Sequence, residues 1–124
     1  MRVYLGVVSD RDWQVSIEDW SDPDNENDFD TGEPLPPRND LSNHSPDGFA
    51  WGYGGSGPAQ LALALVAHIT GDDQEALRLH QTFKSLFIAG IGQDEDWVLS
   101  AGMLKQMVAV CRLWQDKMQA VHNV

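Results

Sequence analysis

An α+β fold, with a small N-terminal antiparallel sheet followed by a three-helix C-terminal part, is what these 124 residues predict. Three observations carry that expectation. Apolar and polar residues alternate through the first twenty positions, an almost wholly apolar run follows Gly-Gly-Ser-Gly-Pro at 54–58, and two later stretches repeat at helical spacing. One domain over 1–124 is expected, divided into a hairpin (1–20), an acidic Pro-containing loop (21–47) and the glycine-rich junction with its helices (48–124).

In the first segment Val3, Leu5 and Val7 alternate with Arg2, Tyr4 and Gly6, and Trp13, Val15 and Ile17 alternate with Gln14, Ser16 and Glu18. SDRD at 9–12 is the turn that joins two strands into a hairpin. Residues 21–47 carry five prolines among Asp, Asn, Ser and Gly, which reads as loop with a mobile tip and a short extended piece at Leu35. GFAWGY at 48–53 sets Phe49, Trp51 and Tyr53 on one side and reads as a third strand or extended segment. Pro58 suits the first position of a helix. AQLALALVAHIT is apolar on most of its circumference and predicts a buried central helix. Gly71 ends it and Asp72 or Asp73 caps the next, in which Ala76, Leu79, Phe83 and Phe87 share a face. Ser100 is the expected N-cap of a last helix whose stripe holds Leu104, Met107, Val108, Cys111, Trp114, Met118 and Val121. Core is the default expectation for that stripe, with a self-association face as the minority reading.

Composition narrows the function classes. The chain is 42 % hydrophobic and 22 % charged, with a formal net charge of −11. Such a balance disfavours direct binding to nucleic acid or to an anionic membrane. A single cysteine excludes a disulfide framework, and no apolar run reaches the roughly 18 residues of a membrane span. A cytoplasmic protein is expected. The charge is uneven: residues 1–47 hold twelve acids and three bases, residues 48–124 seven acids and five bases. The second part is thus close to neutral and compatible with an anion site.

WGYGGSGPAQ is the segment that points to chemistry. Glycines allow close approach of a ligand to the backbone, and the helix that follows turns unpaired N–H groups and its positive dipole end toward the gap. Ser56 offers a hydroxyl, Gln60 lies in the first turn, and Lys84 can reach the loop if the second helix packs alongside. Phe49, Trp51 and Tyr53 could stack on a ring. The candidate ligand site is therefore Phe49, Trp51, Tyr53, Gly54, Gly55, Ser56, Gly57, Gln60 and Lys84, for a phosphate-bearing nucleotide-like molecule. No Lys-Ser/Thr pair makes it a Walker loop, and no ribose-binding acid follows in a second strand. The competing reading is a tight turn in which Ser56 only caps and the aromatics are core.

NHSPDGFAWGYGGSGPAQLALALV, with EALRLHQTFKSLFIAGI and DEDWVLS, resembles the family called domain of unknown function 6166 over about residues 35–105. The family motif maps onto Ser45, Phe49, Trp51, Gly52, Tyr53, Gly54, Gly55, Ser56, Gly57, Pro58 and Gln60, with Phe83 and Lys84 in the second helix. The resemblance implies a small protein of bacteria, archaea or their phages, with a phage or mobile-element setting. It assigns no reaction and no catalytic residue.

The acidic stretch has its own readings. Asp22, Asp24, Glu26, Asp28, Asp30 and Glu33 occupy positions 1, 3, 5, 7, 9 and 12 of a twelve-residue window, the spacing of a calcium loop. Asn27 stands where the turn glycine belongs, Pro23 interrupts the loop and no amphipathic helices flank it, so a weak calcium site at 22–33 is a minor alternative to a solvated loop. A further alternative is nucleic-acid mimicry, in which Asp22, Asp24, Glu26, Asp28 and Asp30 enter a basic groove with Trp20 and Phe29 as apolar anchors. His44, His68, His80 and His122 have no common spacing and predict no metal set. His44 with Ser45 or Ser56 lacks the nucleophile-elbow pattern of a hydrolase, and Cys111 reads as core.

No nucleophile–base or acid–base pair stands out. The resulting expectation is a non-enzymatic binding protein of phage counter-defence type that holds a nucleotide-like ligand at the junction, with charge from Lys84 or from an arginine of a second protomer. The alternatives are an anti-CRISPR-like acidic inhibitor of a nucleic-acid-binding host defence protein, acting through 18–33, and a structural or accessory protein.

Overall fold

A computed structural model describes residues 1–20 and 32–122, and its elements agree with the α+β expectation. β1 (Arg2–Ser9), β2 (Asp12–Asp19), β3 (Glu33–Pro34) and β4 (Trp97–Ser100) form one antiparallel sheet in the order β3-β2-β1-β4. Helices α1 (Ser56–Thr70), α2 (Asp73–Phe83) and α3 (Ala101–His122) complete the architecture.

Two residues, Asp10 and Arg11, turn β1 into β2, both with positive φ (50° and 62°). That left-handed pair suits the twist of a two-residue hairpin, although neither residue is glycine. The register sets Tyr4 opposite Ile17, Gly6 opposite Val15 and Val8 opposite Trp13. Directly opposed residues share a face, so Tyr4, Gly6 and Val8 turn toward the core with Trp13, Val15 and Ile17. The inward face of β2 is the predicted one. In β1 both faces contribute: Tyr4 is completely buried, and of the Val3, Leu5 and Val7 face Val3 is buried while Val7 is exposed. A stretch apolar at nearly every position does not reveal by alternation which side chains turn inward, and pairing decides.

GFAWGY is not a strand. Gly48 and Gly52 have φ of +117° and +89°, which breaks extended pairing, and the fourth strand comes instead from WVLS at 97–100. That strand pairs with β1 from Gly6–Trp97 to Val3–Ser100. Its sequence is too short for an alternation signal to stand out from a loop.

The helices follow their sequence signals closely. α1 is buried from Gly57 to Ala67, and the amide of Gly71 caps it by donating to the Ala67 carbonyl. Asp72 caps α2, its carboxylate accepting from the amides of Gln74 and Glu75 at 3.1 Å each. Ser100 caps α3 by accepting from the Met103 amide at 3.0 Å. α2 does not run on as a regular helix to Gly90, because residues Lys84–Ile88 form a π-helical turn. That wider turn rests Phe87 against Phe83, with ring centroids 5.3 Å apart, and leads Ile88 into the core.

α3 departs most from expectation. Leu104, Val108 and Cys111 are buried as foreseen, and burial pushes the Cys111 thiol up to about 11. Trp114 is half exposed, Met118 and Val121 are exposed, and Val110 and Leu113 join them. The helix outruns the body that could cover it.

The core centres on Trp51, which has no exposed surface. Its ring meets Trp13 and Trp97 edge-on at centroid distances of 6.4 and 5.5 Å, and its indole N–H donates to the Glu95 carbonyl at 2.9 Å. Trp13 donates in the same way to the Gln93 carbonyl at 3.0 Å. Truncating so large a buried ring leaves a cavity and orphans the Glu95 carbonyl. Trp51→Ala is expected to cost about 3–5 kcal/mol in urea unfolding, and a loss below about 1 kcal/mol would mean that the ring is not the keystone.

Candidate functional site

The junction from Gly48 to Pro58 is bent around Trp51. Gly52 donates its amide to the Ile88 carbonyl at 3.2 Å, and a Cβ at Gly52 would lie 2.5–2.7 Å from Gln93 and from the Ile91 carbonyl. With its positive φ this position accepts glycine alone. Gly57 is equally constrained, since a Cβ there would stand 2.7 Å from the Ala50 methyl. The ring of Tyr53 folds back over Gly55. Lys84, carried by the π-helical turn, reaches the loop as the packing of α2 allows and donates to the Gly54 carbonyl at 3.2 Å.

The predicted site residues thus separate into three groups. Trp51 and Gln60 are fully buried and present no face to a ligand, which corrects their assignment as contacts. Gln60 is a structural clamp: its Oε1 accepts from the amides of His44 (2.8 Å) and Ser45 (3.1 Å), and its Nε2 donates to the Pro37 carbonyl. Phe49 is partly buried, and Tyr53, Gly54 and Ser56 are exposed, so the three aromatics do not form one stacking face. Ser56 does not cap α1 either. The N-cap is Gly55, with no side-chain hydrogen bond and no acidic residue in the first turn.

That helix terminus opens on a cavity of about 280 Å3, whose walls include Ser45, Phe49, Tyr53, Ser56 and Gly57 from the junction side and Arg11, Asp12 and Trp13 from the hairpin. Asp47 lines it as well. A second cavity of about 620 Å3 is mainly apolar, lined by Leu5, Val7, Val15, Pro34, Leu35 and Pro37 among others. Trp13, Gly48 and Phe49 belong to both, so the two cavities meet along one shared wall. The larger offers apolar contact. The smaller offers a guanidinium, three hydroxyls, two carboxylates and the positive end of α1. Arg11, Trp13, Leu35 and Asp47 were not among the sequence-derived site residues. Their only signal is Trp13 beside the SDRD turn, because it is pairing of the hairpin that brings this turn to the junction.

A third cavity of about 780 Å3 lies over Glu75, Arg78 and Arg112. Its guanidiniums are already engaged, both donating to Glu75 at 2.8 Å. These bonds, from Arg78 first and then Arg112, hold the Glu75 carboxyl down at about 2.

The loop before the junction is fastened by histidines that the sequence did not associate. His80 is buried on α2 and its Nδ1–H donates to the Leu77 carbonyl at 2.9 Å, which leaves Nε2 to accept. His44 Nε2 stands 2.9 Å away and donates to it. His68 hydrogen-bonds the Tyr4 hydroxyl instead. Among the described residues no three His, Cys, Asp or Glu side chains converge as a metal set. The acidic segment's Asp22, Asp24, Glu26, Asp28, Phe29 and Asp30 lie outside the described residues. Trp20 is half exposed, its indole donating to Glu18 at 3.2 Å.

Burial lowers the His80 pKa below its ordinary value, with His44 nearby adding to the effect. An unfolded chain therefore takes up a proton near pH 6.5 before the folded one does. The contribution of His80 is complete above pH 6.5 and declines as the pH falls through its lowered folded value. Thermal midpoints of the wild type are expected to drop on acidification from pH 7.5 to 5, and His80→Gln to flatten that slope. An unchanged slope in the variant would show that His80 does not carry the pH dependence.

A family model described as "Family of unknown function (DUF6166)" matches residues 23–110. The match takes in the junction and α1 but ends short of the hairpin that supplies Arg11 and Trp13. No curated protein and no solved structure matches the chain. With its junction, α1, α2 and β4 all inside the matched span, the chain belongs to the DUF6166 family.

Proposed function

We propose that this chain is a non-enzymatic binding protein for a small ring-bearing anion of nucleotide type, held across the two joined cavities. The observation that carries the reading is the shared wall of Trp13, Gly48 and Phe49, which links an apolar cavity to a polar one at an α1 N-terminus without a side-chain cap. In this arrangement the phosphate meets the amides of Ser56 and Gly57, the Ser56 hydroxyl and Arg11. The carboxylates of Asp12 and Asp47 suit hydroxyl or amino groups of the ligand, because a carboxylate oxygen accepts hydrogen bonds. The ring lies against Phe49 and Trp13, replacing the stacking first expected from Trp51. Sequestration of such a ligand is the counter-defence role proposed for the chain, in the phage or mobile-element setting that the family resemblance implies.

Arg11 offers a test that separates binding from folding. It holds a left-handed φ of 62°, which glycine adopts about 1 kcal/mol more easily. Arg11→Gly is therefore expected to unfold no earlier than the wild type while losing the anion contact. In thermal unfolding, a nucleoside monophosphate at a hundred times its dissociation constant should stabilise the wild type by about 2.7 kcal/mol. The corresponding nucleoside and inorganic phosphate alone should each give less, and Arg11→Gly and Phe49→Ala should remove most of the response. A wild type indifferent to every nucleoside monophosphate would end this reading, as would a response that Arg11→Gly retains in full.

A further inference from the structure

The outward face of α3 carries an apolar strip that the fold leaves uncovered. Val110, Leu113, Trp114 and Val121 are 46 %, 63 %, 50 % and 64 % exposed, and Met118 is 38 % exposed. Met107, partly buried, lies on the same line one turn before Val110. These side chains expose on the order of 500 Å2, so two such faces in contact bury about 1,000 Å2, the size at which a specific protein interface begins. Contiguous apolar surface of that size on an otherwise polar molecule marks an interface.

The spacing of the strip says what covers it. Met107, Val110, Trp114, Met118 and Val121 are separated by three, four, four and three residues, an order that reads the same from either end. Two copies of this helix, antiparallel about a two-fold axis at Trp114, place Met107 level with the partner's Val121 and Val110 level with the partner's Met118. Trp114 then meets its own counterpart, and Leu113 flanks the seam toward its own counterpart. A strip whose spacing is its own mirror is self-complementary in the sense that an isologous interface requires. The charge pattern permits the approach, since Lys117 is the one charged residue close to the seam, and Lys105, Arg112 and Asp116 project from the other side of the helix. Each body packs on the N-terminal two thirds of its α3, through Leu104, Val108, Cys111 and Gln115. Antiparallel pairing therefore carries the two bodies toward opposite ends of the helix pair.

We infer that the chain forms a symmetric dimer through the outward face of α3, with a second copy of itself as the partner. Sedimentation or light scattering of the full chain should give twice the 13.8 kDa chain mass. Trp114→Lys and Leu113→Glu should each halve that mass and leave the circular dichroism unchanged, because both side chains are already half or more exposed in the single chain. Oxidative cross-linking reads the direction of pairing. Trp114→Cys should form an intermolecular disulfide and Met103→Cys should not, whereas in-register parallel helices would link both. A wild-type monomer at every concentration, a dimer that survives Trp114→Lys, or cross-linking of Met103→Cys would overturn the inference.

Discussion

The burial of Trp51 is the constraint on which the rest of the molecule depends. A ring of this size, with no exposed surface and a single N–H to satisfy, must be enclosed from several directions at once. The hairpin supplies Trp13, β4 supplies Trp97, and the loop before β4 supplies the Glu95 carbonyl. To bring the ring inside, the chain must turn sharply before α1. The positive φ at Gly52 and the contact of Gly57 with Ala50 are the means. The glycine-rich motif is thus first a solution to packing. The position of the α1 N-terminus, with no side chain capping it, is a consequence of that solution.

Gln60, in the central helix, obeys the same economy. A buried amide is costly unless its donors and acceptor are met. Gln60 meets that demand by gathering Pro37, His44 and Ser45, and so ties a loop with little regular structure to the central helix. The His44–His80 bond repeats the tie from α2. Ser45 and Asp47, which line the smaller cavity, are therefore carried on a fastened segment. A wall built that way is held in one arrangement by hydrogen bonds to two helices.

The groove and the exposed face of α3 are built from different residues. The groove is walled by β1, β2, the 32–37 segment and the junction. The α3 face lies on the far flank of a helix whose inner side packs on α1 and α2. The two features also differ in character: the groove mixes charge with apolar surface, whereas the helix face is almost purely apolar. The chain's acidity sits mainly in residues 1–47, and α3 has three bases against one acid, so long-range repulsion does not oppose association through that helix.

What the sequence determined by itself is local. Alternation marked β1 and β2, the apolar circumference marked α1 as central, and Gly71, Asp72 and Ser100 marked helix ends that the hydrogen bonds bear out. Each of these is set by neighbours a few residues away, which is why period and capping chemistry suffice. The tertiary structure alone decided the rest. It chose which side chains of β1 turn inward, drew WVLS into the sheet in place of GFAWGY, and turned Trp51 and Gln60 from contacts for a ligand into core. It brought Arg11 and Trp13 to the junction, joined His44 to His80 across 36 positions, and left the end of α3 bare. These outcomes rest on pairing and packing between distant segments, where an aromatic ring or a buried amide is placed by whatever closes around it. Local spacing carries no record of that closure.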